Sequence, residues 1–315
     1  MRVAVLGPIP RDVIVTCEGQ TDERYGGALY TTAALASLGA GRVRVHPVAH
    51  VSAANLADIR ALLAGFDAVD PSRISDRQDQ GTAIRLQYRD HNRRDETQVG
   101  CMTPIQGTDL DGLEGYDAFI VVPITDFEVP LATLRALRSR STGLIAFDAH
   151  GPTMGCAADG TRFRQDWIDR DVWLPHIDLL KMNLEEARHV WFERTDEGEP
   201  TMDELPRLAE ICLSGGVRAL YVTLDQHGCV VYDRVRGRLR ERVVPRVQVD
   251  RVVDTTGCGD SFAAGMVLGY LLHGDHLMAA RLGNYAGARR CVSQALDAYG
   301  TLAEAEACLA DAYAT

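Results

Sequence analysis

The chain of 315 residues is poor in one basic residue type, since it contains a single lysine, Lys181, among 33 lysines and arginines. A P-loop requires the sequence Gly-Lys-Ser/Thr, and a protein kinase requires a lysine on the strand that follows its glycine loop. Lys181 lies in Leu-Leu-Lys-Met-Asn and meets neither requirement. We therefore expect that a nucleotide site in this chain would hold phosphates mainly through backbone amides and a metal ion.

Other absences exclude further classes of protein. No apolar run reaches the length that spans a membrane, and no block of basic residues offsets the net charge of −11. The eight cysteines form no Cys-x-x-Cys pair, so neither a zinc site nor a disulfide framework is indicated. No Gly-x-Gly-x-x-Gly follows the first apolar stretch, which argues against a dinucleotide-binding dehydrogenase. We expect a cytoplasmic protein with reduced thiols that binds neither nucleic acid nor membranes.

The distribution of apolar residues predicts an α/β fold. Strand-like and helical stretches alternate from end to end, without an internal repeat or a low-complexity segment. Such alternation is typical of a predominantly parallel sheet with helices on both faces. With 46% hydrophobic residues the chain can bury a sizeable core, and we expect one domain over residues 1–315.

Residues 252–266 read Val-Val-Asp-Thr-Thr-Gly-Cys-Gly-Asp-Ser-Phe-Ala-Ala-Gly-Met. The start of this stretch favours a strand, its centre is a Gly-Cys-Gly turn, and the residues after Asp260 favour a helix that continues toward Leu272. A helix start presents free N–H groups and the positive end of the helix dipole, so it favours an anion. Asp260 on the same first turn would then act as general base for a hydroxyl that attacks a phosphoryl group. The alternative is that Asp260 only caps an ordinary buried helix.

A second motif, Asn183-Leu-Glu-Glu186, follows a strand-like stretch over residues 177–182. Its spacing is that of a capping box, in which the side chains of Asn183 and Glu186 each accept a hydrogen bond from a backbone N–H at the start of a helix. The motif therefore predicts a helix that begins directly after Asn183.

The segment Asp254-Thr-Thr-Gly-Cys-Gly-Asp260-Ser-Phe closely resembles the C-terminal signature of the ribokinase-like, or phosphofructokinase-B, family of small-molecule kinases. Cys258 stands where the family usually has alanine. The Asn183-x-x-Glu186 motif is similar to the family motif that organises Mg²⁺ and its waters near the nucleotide phosphates. The resemblance covers essentially the whole chain. It implies a ribokinase-like fold with a small β-sheet lid, formed by segments about 12–24 and 82–101, over the substrate.

The reaction that this resemblance implies is ATP-dependent phosphorylation of a hydroxyl group on a sugar or a sugar-like alcohol. It assigns proton removal to Asp260, and stabilisation of the transferring phosphoryl group to the amides of the glycine turn, which we define as Gly257, Cys258 and Gly259. The implied acceptor-binding residues are Asp12, Gly26, Gly27, Thr31 and Glu128. The implied nucleotide-binding residues are Asn183, Thr223, Asp225, Gly228 and Asn284. The implied metal positions are Glu186, for Mg²⁺ held through water, and Asp254 and Thr256, for a monovalent cation such as K⁺.

Three positions depart from the family pattern. Thr31 replaces an asparagine, which exchanges an amide for one short hydroxyl and leaves the identity of the sugar open. Asp225 replaces a glycine near the nucleotide, where a carboxylate facing phosphates would weaken binding, so we expect it to turn toward solvent or ribose. Asp148 matches an Asp-Pro-Asn motif, but Ala-His follows it here.

Two other functions stay open. A nucleoside kinase of the same superfamily would need aromatic side chains that stack on a base, and Tyr25, Tyr30 and Phe127 are the candidates. A non-catalytic ligand-binding regulatory protein would gain nothing from an Asp260 carboxylate that faces a phosphate.

Two further expectations concern association and redox chemistry. Lid edges of the family often pair, which implies a homodimer through the lid. Cys258 either fills the alanine position or is a redox-sensitive site, because a helix start lowers the pKa of a thiol.

Overall fold

The computed structural model describes residues 1–76, 79–89, 94–195 and 198–314. Its strands are β1 (Arg2–Leu6), β2 (Arg11–Val15), β3 (Thr21–Tyr25), β4 (Arg44–His50), β5 (Ile74–Ser75), β6 (Ala83–Tyr88), β7 (Arg94–Gly100), β8 (Ala118–Val121), β9 (Leu144–Asp148), β10 (Met154–Cys156), β11 (Arg162–Arg164), β12 (Leu179–Asn183), β13 (Ala219–Thr223), β14 (Cys229–Val235) and β15 (Arg238–Val244). Its α-helices are α1 (Ala28–Leu38), α2 (Ala53–Leu63), α3 (Leu131–Arg140), α4 (Arg170–Trp173), α5 (Leu184–Val190), α6 (Leu205–Ser214), α7 (Cys258–His273), α8 (His276–Cys291) and α9 (Leu302–Ala312).

Most of the strands form one large sheet, in the order β15-β14-β13-β12-β9-β8-β1-β4-β5. From β13 to β5 the neighbouring strands are parallel, whereas β14 and β15 are joined by antiparallel pairing at one edge. This arrangement confirms the predicted α/β fold with a predominantly parallel sheet.

Helices cover both faces of the large sheet because its central strands are apolar on both sides. In β1, Val3 and Val5 lie in one core, and Ala4 and Leu6 lie in the other, as the period of two of a strand requires. The first core also contains buried side chains of α1, α2 and α7–α9, and the second contains those of α3–α6. Within the described ranges, none of these helices combines the length and the apolar character needed to cross a bilayer.

One predicted strand is wrong. The segment that leads into the glycine turn is irregular, since β15 ends at Val244 and α7 begins at Cys258. The side chains of Val252 and Val253, which favoured a strand, are exposed. The backbone N–H of Val253 donates to the carbonyl of Cys291 at 2.7 Å, so this segment is bound to the end of α8. Its hydrogen-bond partner is thus a helix end and not a strand, which β propensity could not reveal.

A separate small sheet contains β3, β2, β6 and β7, in that order. Asp12, Ile84 and Gln98 are register partners across β2, β6 and β7, so their side chains lie on one face, and all three are buried. A bridge between Thr97 and Thr161 joins β7 to the β10–β11 hairpin. The turn between β6 and β7, residues 90–93, lies outside the described residues.

The helices α7 and α8 approach each other closely because glycines line their contact. A Cβ on Gly265 would lie 2.3 Å from the carbonyl oxygen of Leu282, and a Cβ on Gly269 would lie 2.8 Å from Cα of Ala279. The two helices are consecutive and antiparallel, so the first turn of α7 lies beside the last turn of α8. Close packing of these helices therefore sets the position of the glycine turn.

We expect Gly265→Ala to lower the free energy of unfolding by about 2 kcal/mol, since a methyl group at this site overpacks the contact with Leu282. A helix-interior glycine normally gains up to about 1 kcal/mol on replacement by alanine. Gly287→Ala on α8 is the matched control, because its Cβ would lie at an ordinary contact distance of 3.4 Å from the carbonyl oxygen of Cys258. Denaturant unfolding of both variants tests this; equal stabilities would contradict the packing argument.

Candidate active site

Three strands of the large sheet end in polar residues at one edge, and two more carboxyl groups follow neighbouring strands in the chain. Across the sheet, β13 ends at Thr223, β12 ends at Asn183 and β9 ends at Asp148. Further along the edge, Glu128 lies in the connection between β8 and α3, and Asp12 lies on β2, the strand of the small sheet that comes after β1 in the chain. The carboxyl ends of parallel strands meet at one edge, where open α/β sheets bind their ligands. We call these five residues the edge row. The predicted nucleotide residues Thr223 and Asn183 lie at one end of it, and the predicted acceptor residues Glu128 and Asp12 lie at the other.

The glycine turn opens α7. Gly257 has a left-handed φ of 83° and precedes the first helical residue, Cys258. A Cβ at Gly257 would lie 2.4 Å from the ring of Tyr30, so glycine is required both by the backbone and by this contact. The first N–H groups of a helix have no acceptor within it, although that of Cys258 donates to the carbonyl oxygen of Thr255 at 3.2 Å. Such a helix start suits an anion, and the anion site stays a prediction.

Two hydroxyl groups fasten the first turn of α7, one from the neighbouring helix α1 and one from α7 itself. The hydroxyl of Thr31, on α1, donates to the carbonyl oxygen of Asp260 at 3.1 Å. The hydroxyl of Ser261 donates to the carbonyl oxygen of Gly257 at 2.7 Å. Thr31 is fully buried, and its hydroxyl positions the backbone of Asp260, whereas its role in acceptor binding stays a prediction. Sequence alone could not distinguish these two tasks for one hydroxyl.

Asp260 lies among charged side chains near the centre of the edge row. Burial and the negative charge of Asp148 raise its pKa to about 6, although Lys181 and His150 act in the opposite direction. A carboxylate with a pKa close to neutrality suits a group that takes up a proton during a reaction.

The single lysine lies directly beside the glycine turn. Its Nζ donates to Oδ2 of Asp148 at 2.9 Å and lies 3.0 Å from the position that a Cβ of Gly259 would take. Burial alone would lower the pKa of Lys181, but the charges of Asp148 and Glu186 outweigh burial and raise it, so the ammonium stays protonated. The sequence analysis assigned Lys181 no role, because it matches neither lysine motif and is far from the glycine turn in sequence, whereas the structure places its ammonium beside that turn.

Asn183 and Glu186 form the predicted capping box of α5. The N–H of Glu186 donates to Oδ1 of Asn183 at 2.7 Å, and the N–H of Asn183 donates to Oε2 of Glu186 at 2.8 Å. The other carboxylate oxygen, Oε1, lies 2.9 Å from Nδ1 of His150. Burial opposes ionisation of Glu186, but Lys181 and His150 outweigh it and lower the pKa of Glu186 to about 2.

This arrangement limits how a metal ion could bind. Both oxygens of Glu186 have protein partners, and its side chain is almost fully buried. Among the described residues, no three His, Cys, Asp or Glu side chains are grouped so that they could hold a metal ion. Asn183 and Glu186 therefore do not form an inner-shell site, and they fit Mg²⁺ only as a hydrated ion held through water.

The predicted monovalent-cation position is taken by guanidinium groups. Oδ2 of Asp254 lies 2.5 Å from Nη1 of Arg24, on β3, and 3.6 Å from Nη2 of Arg290, on α8. Oδ1 of Asp254 accepts a hydrogen bond from the N–H of Thr256 at 2.9 Å. Arg290 is fully buried and lies over the Tyr30 ring. The charge of Asp254 is balanced by these arginines, so Asp254 and Thr256 do not fit a bound K⁺.

The acceptor end of the edge row contains buried oxygen atoms that have no hydrogen-bond partner among the described residues. They are Oδ1 of Asp12, Oε1 of Glu128 and Oε1 of Gln98. Burial raises the pKa of Asp12 to about 7, which the charge of Arg162 partly opposes. Gly26 leaves room for this carboxylate, because a Cβ there would lie 2.9 Å from Oδ2 of Asp12. Unpaired buried acceptors are costly unless a ligand donates to them.

Arg162, which we did not predict, connects this end to the centre of the site. Its Nη2 donates to the carbonyl oxygen of Ile124 at 2.9 Å and lies 3.4 Å from Nε2 of His150. Its Nε lies 3.5 Å from Oε2 of Glu96. Arg162 lies on the β10–β11 hairpin, far in sequence from every motif, and no sequence signal distinguished it from a solvated arginine.

The remaining predicted site residues are two glycines, Gly27 and Gly228, and two residues of the predicted nucleotide site, Asp225 and Asn284. Gly27 has a φ of 57°, and a Cβ there would lie 2.6 Å from the carbonyl oxygen of Pro8. Asp225 also has a positive φ, 48°, in the turn between β13 and β14, and Gly228 closes that turn with a φ of 94°. The amide nitrogen of Asn284 donates to the carbonyl oxygens of Val244 and Pro245 at 3.2 and 3.0 Å, so this group joins α8 to the end of β15.

The curated proteins that this chain resembles are kinases, and each match covers only part of the relative's length. A 38% identical segment of 86 residues is shared with an uncharacterized sugar kinase of Archaeoglobus fulgidus, and covers 27% of this chain and 32% of that protein. A 25% identical segment of 180 residues is shared with a 2-dehydro-3-deoxygluconokinase of Haemophilus influenzae, and covers 57% of this chain and 52% of that protein. The matched segments thus span about a third and about half of these relatives.

Solved structures resemble nearly the whole chain. A ribokinase of Arabidopsis thaliana complexed with ribose and ATP superposes with a TM-score of 0.76 at 16% identity, over 98% of both chains. A pyrophosphate-dependent kinase in the ribokinase family, complexed with a pyrophosphate analogue and myo-inositol, gives 0.76 at 19% identity, over 98% of this chain and 100% of that one. A nucleoside kinase of Burkholderia thailandensis in complex with inosine gives 0.72 at 19% identity, over 99% of both. At these identities the likeness concerns the fold.

The family model for pfkB family carbohydrate kinases matches residues 167–297, a range that includes Lys181, the capping box and the glycine turn. The fold of the whole chain agrees with this match. Over residues 167–297 the chain is therefore similar to the pfkB family of carbohydrate kinases, and over its whole length it has the fold of ribokinase-family structures.

Proposed function

We propose that this protein transfers the γ-phosphoryl group of ATP to a hydroxyl group of a neutral sugar or polyol. One observation carries the proposal. Asp260 lies at the start of α7, between strand ends that suit a nucleotide and a group of buried oxygens that lack donors. A hydroxyl bound by those oxygens would face the carboxylate and the glycine turn together.

In the proposed step, the acceptor oxygen forms a bond to the γ-phosphorus as the bond from phosphorus to the leaving oxygen of ADP breaks. Asp260 takes the proton of the attacking hydroxyl. The amides of Gly257, Cys258 and Gly259, together with the Lys181 ammonium, stabilise the charge on the transferring group. Thr31 holds the carbonyl of Asp260 and so fixes the direction of the carboxylate.

On the donor side, we assign the nucleotide to the ends of β12 and β13 and to the turn that follows. Asn183 and Thr223 are register partners at the ends of these strands, so both can face one ligand. The backbone of the Asp225–Gly228 turn would pass close to the nucleotide. We assign a hydrated Mg²⁺ to Asn183 and Glu186, where its charge would neutralise the phosphates of the donor. No monovalent cation is included, because Arg24 and Arg290 balance Asp254.

On the acceptor side, the charges favour a neutral polyhydroxy compound. Asp12, Glu96 and Glu128 contribute three carboxyl groups, while the guanidinium of Arg162 is already directed at Ile124, His150 and Glu96. An anionic sugar would meet the negative charge of these carboxyl groups, whereas neutral hydroxyls can donate to the unpaired oxygens. We propose that the small sheet closes over this acceptor as a lid and excludes water, since Asp12 and Gln98 lie on its buried face.

A nucleoside acceptor is the second candidate, and one aromatic side chain supports it. Phe127 is half exposed and directly precedes Glu128, so it could stack on a base. The other two candidates do not serve this role: Tyr30 is buried between Gly257 and Arg290, and the hydroxyl of Tyr25 is directed at Asp58 of α2.

The function is tested by ADP release from MgATP against neutral sugars, polyols, sugar acids and nucleosides. We expect turnover with one neutral class, and a loss of about 10²- to 10⁴-fold in Asp260→Asn, because the base is removed. Asp311→Asn, an exposed carboxylate on α9, is the matched control and should keep full activity. Turnover on nucleosides alone would favour the second candidate. Turnover with pyrophosphate in place of ATP would change the donor, and failure to bind either donor would refute the proposal.

The pH dependence of kcat follows from the pKa of Asp260. At saturating acceptor and MgATP, kcat should rise with pH through about 6 and level off above it, because protonated Asp260 cannot accept the proton. In Asp148→Asn the rise of kcat should occur at lower pH, since the charge of Asp148 helps to raise the pKa of Asp260. Circular dichroism at each pH controls for unfolding. If kcat rises at the same pH in the variant and the parent, or if kcat of the parent does not depend on pH, Asp260 is not the group that takes the proton.

The role of Lys181 is tested by removing one or both charges of its ion pair with Asp148. Lys181→Met should lower kcat by about 10²-fold or more. It should also lower the free energy of unfolding by about 3–5 kcal/mol, because Asp148 is left buried without its partner. In the double variant Lys181→Met/Asp148→Asn, stability should largely return while kcat stays low. Recovery of both quantities would show that Lys181 only neutralises Asp148.

A further inference from the structure

Two thiols meet at the start of α7. Sγ of Cys258, in the glycine turn, lies 3.0 Å from Sγ of Cys291, the last residue of α8. Both side chains are half-buried, so small oxidants can reach them. The close packing of α7 against α8 holds the two thiols together, although 33 positions separate them in sequence.

The backbone around the pair is already joined. The N–H groups of Val253 and Asp254 donate to the carbonyl oxygen of Cys291 at 2.7 and 3.2 Å. The segment before the glycine turn and the end of α8 therefore keep their separation without any covalent bond between the thiols. A new bond between the sulfurs would form across a contact that the fold maintains.

We propose that Cys258 and Cys291 form a reversible disulfide that switches off the anion site of the glycine turn. The proposed reaction uses hydrogen peroxide as the oxidant. The Cys291 thiolate attacks one peroxide oxygen and becomes a sulfenic acid, and hydroxide leaves. The Cys258 sulfur then attacks the Cys291 sulfur, the S–S bond forms, and the sulfenic hydroxyl leaves as water with the thiol proton. Two thiols lose two electrons in total, and one peroxide is reduced to two waters.

The ionisation of the pair agrees with this order of attack. The hydrogen bond from Cys258 lowers the pKa of Cys291 to about 7, so a large share of Cys291 is thiolate at neutral pH. The same contact is the largest cause that raises the pKa of Cys258, and burial is the second. The expectation that the helix start lowers the pKa of Cys258 is therefore wrong, because contact with Cys291 and burial both raise it. The attacking group is then Cys291, and Cys258 is the resolving thiol.

Disulfide formation would distort the proposed catalytic geometry. A disulfide bond is about 2.05 Å long, so the two sulfurs would approach each other by about 1 Å. The amide of Cys258 belongs to the glycine turn, and Asp260 lies two residues further along α7. The part of this approach that side-chain rotation does not absorb would shift the backbone of Cys258, and a displacement of about 1 Å in a catalytic group can lower a rate by about 10²-fold. This consequence for activity rests on the function proposed above, whereas the disulfide itself does not.

The disulfide is tested by treating the reduced full-length chain with hydrogen peroxide and measuring intact mass and cross-linked peptides. We expect a loss of two hydrogen atoms and a peptide that joins Cys258 to Cys291, both reversed by dithiothreitol. Cys291→Ala should lose this cross-link. Cys308→Ala, which changes a half-buried cysteine on α9, is the matched control and should retain it. Absence of the Cys258–Cys291 peptide, or its formation only after unfolding, would overturn the proposal.

Activity is measured in parallel as the ratio between oxidised and reduced samples of each variant. The parent and Cys308→Ala should lose about 10²-fold on oxidation and recover with dithiothreitol. Cys291→Ala should keep a ratio close to one, whatever its own reduced activity. If the cross-link forms and the ratio stays at one in the parent, the switch is refuted. If no acceptor is turned over by the reduced protein, the proposed function fails, and the mass measurement still decides whether the thiol pair reacts.

Discussion

The arrangement at the centre of this protein depends on the buried ammonium of Lys181. It donates to Asp148 and lies beside Gly259, and its charge also acts on Glu186 and Asp260. Three carboxyl groups can lie close together in the interior only if a cation offsets their mutual repulsion. Lys181 and His150 lower the pKa of Glu186 to about 2, whereas burial and the charge of Asp148 raise the pKa of Asp260 to about 6 against the effect of Lys181. Neighbouring carboxyl groups thus differ, since one stays charged and the other can exchange a proton near neutral pH.

A second constraint is the close contact between the helices that carry the site. Glycines at the α7–α8 contact bring the last turn of α8 next to the glycine turn, and Gly257 admits the ring of Tyr30 from α1. Thr31 on the same helix then donates to the carbonyl of Asp260. The first turn of α7 is therefore held in place by its contacts with α8 on one side and α1 on the other. This support is what a group that must face a hydroxyl and a phosphate at once requires.

The arginines around Asp254 show how the chain compensates for a charge near the glycine turn. Arg290 is buried under Tyr30 and reaches Asp254 from α8, while Arg24 reaches it from the small sheet. The contact of Arg24 links β3 to the segment before α7, so the small sheet and the glycine turn are electrostatically connected. A fixed guanidinium has the same charge as a bound monovalent ion and stays at its position without depending on ion concentration.

The local sequence was sufficient to predict the fold class and those features whose interacting residues are close together in the chain. Alternating apolar stretches indicated the parallel sheet, the spacing from Asn183 to Glu186 indicated the capping box, and the Gly-Cys-Gly turn indicated the start of a helix. Only the tertiary structure decided which distant side chains complete the site. No sequence motif surrounds Lys181, Arg162 or Arg290. The hydroxyl of Thr31 donates to a backbone carbonyl, and Cys258 contacts Cys291 only because two helices pack together. The physical reason is that backbone capping and periodicity act over a few residues, whereas charge pairing and thiol contact act through space between elements that the sheet brings together.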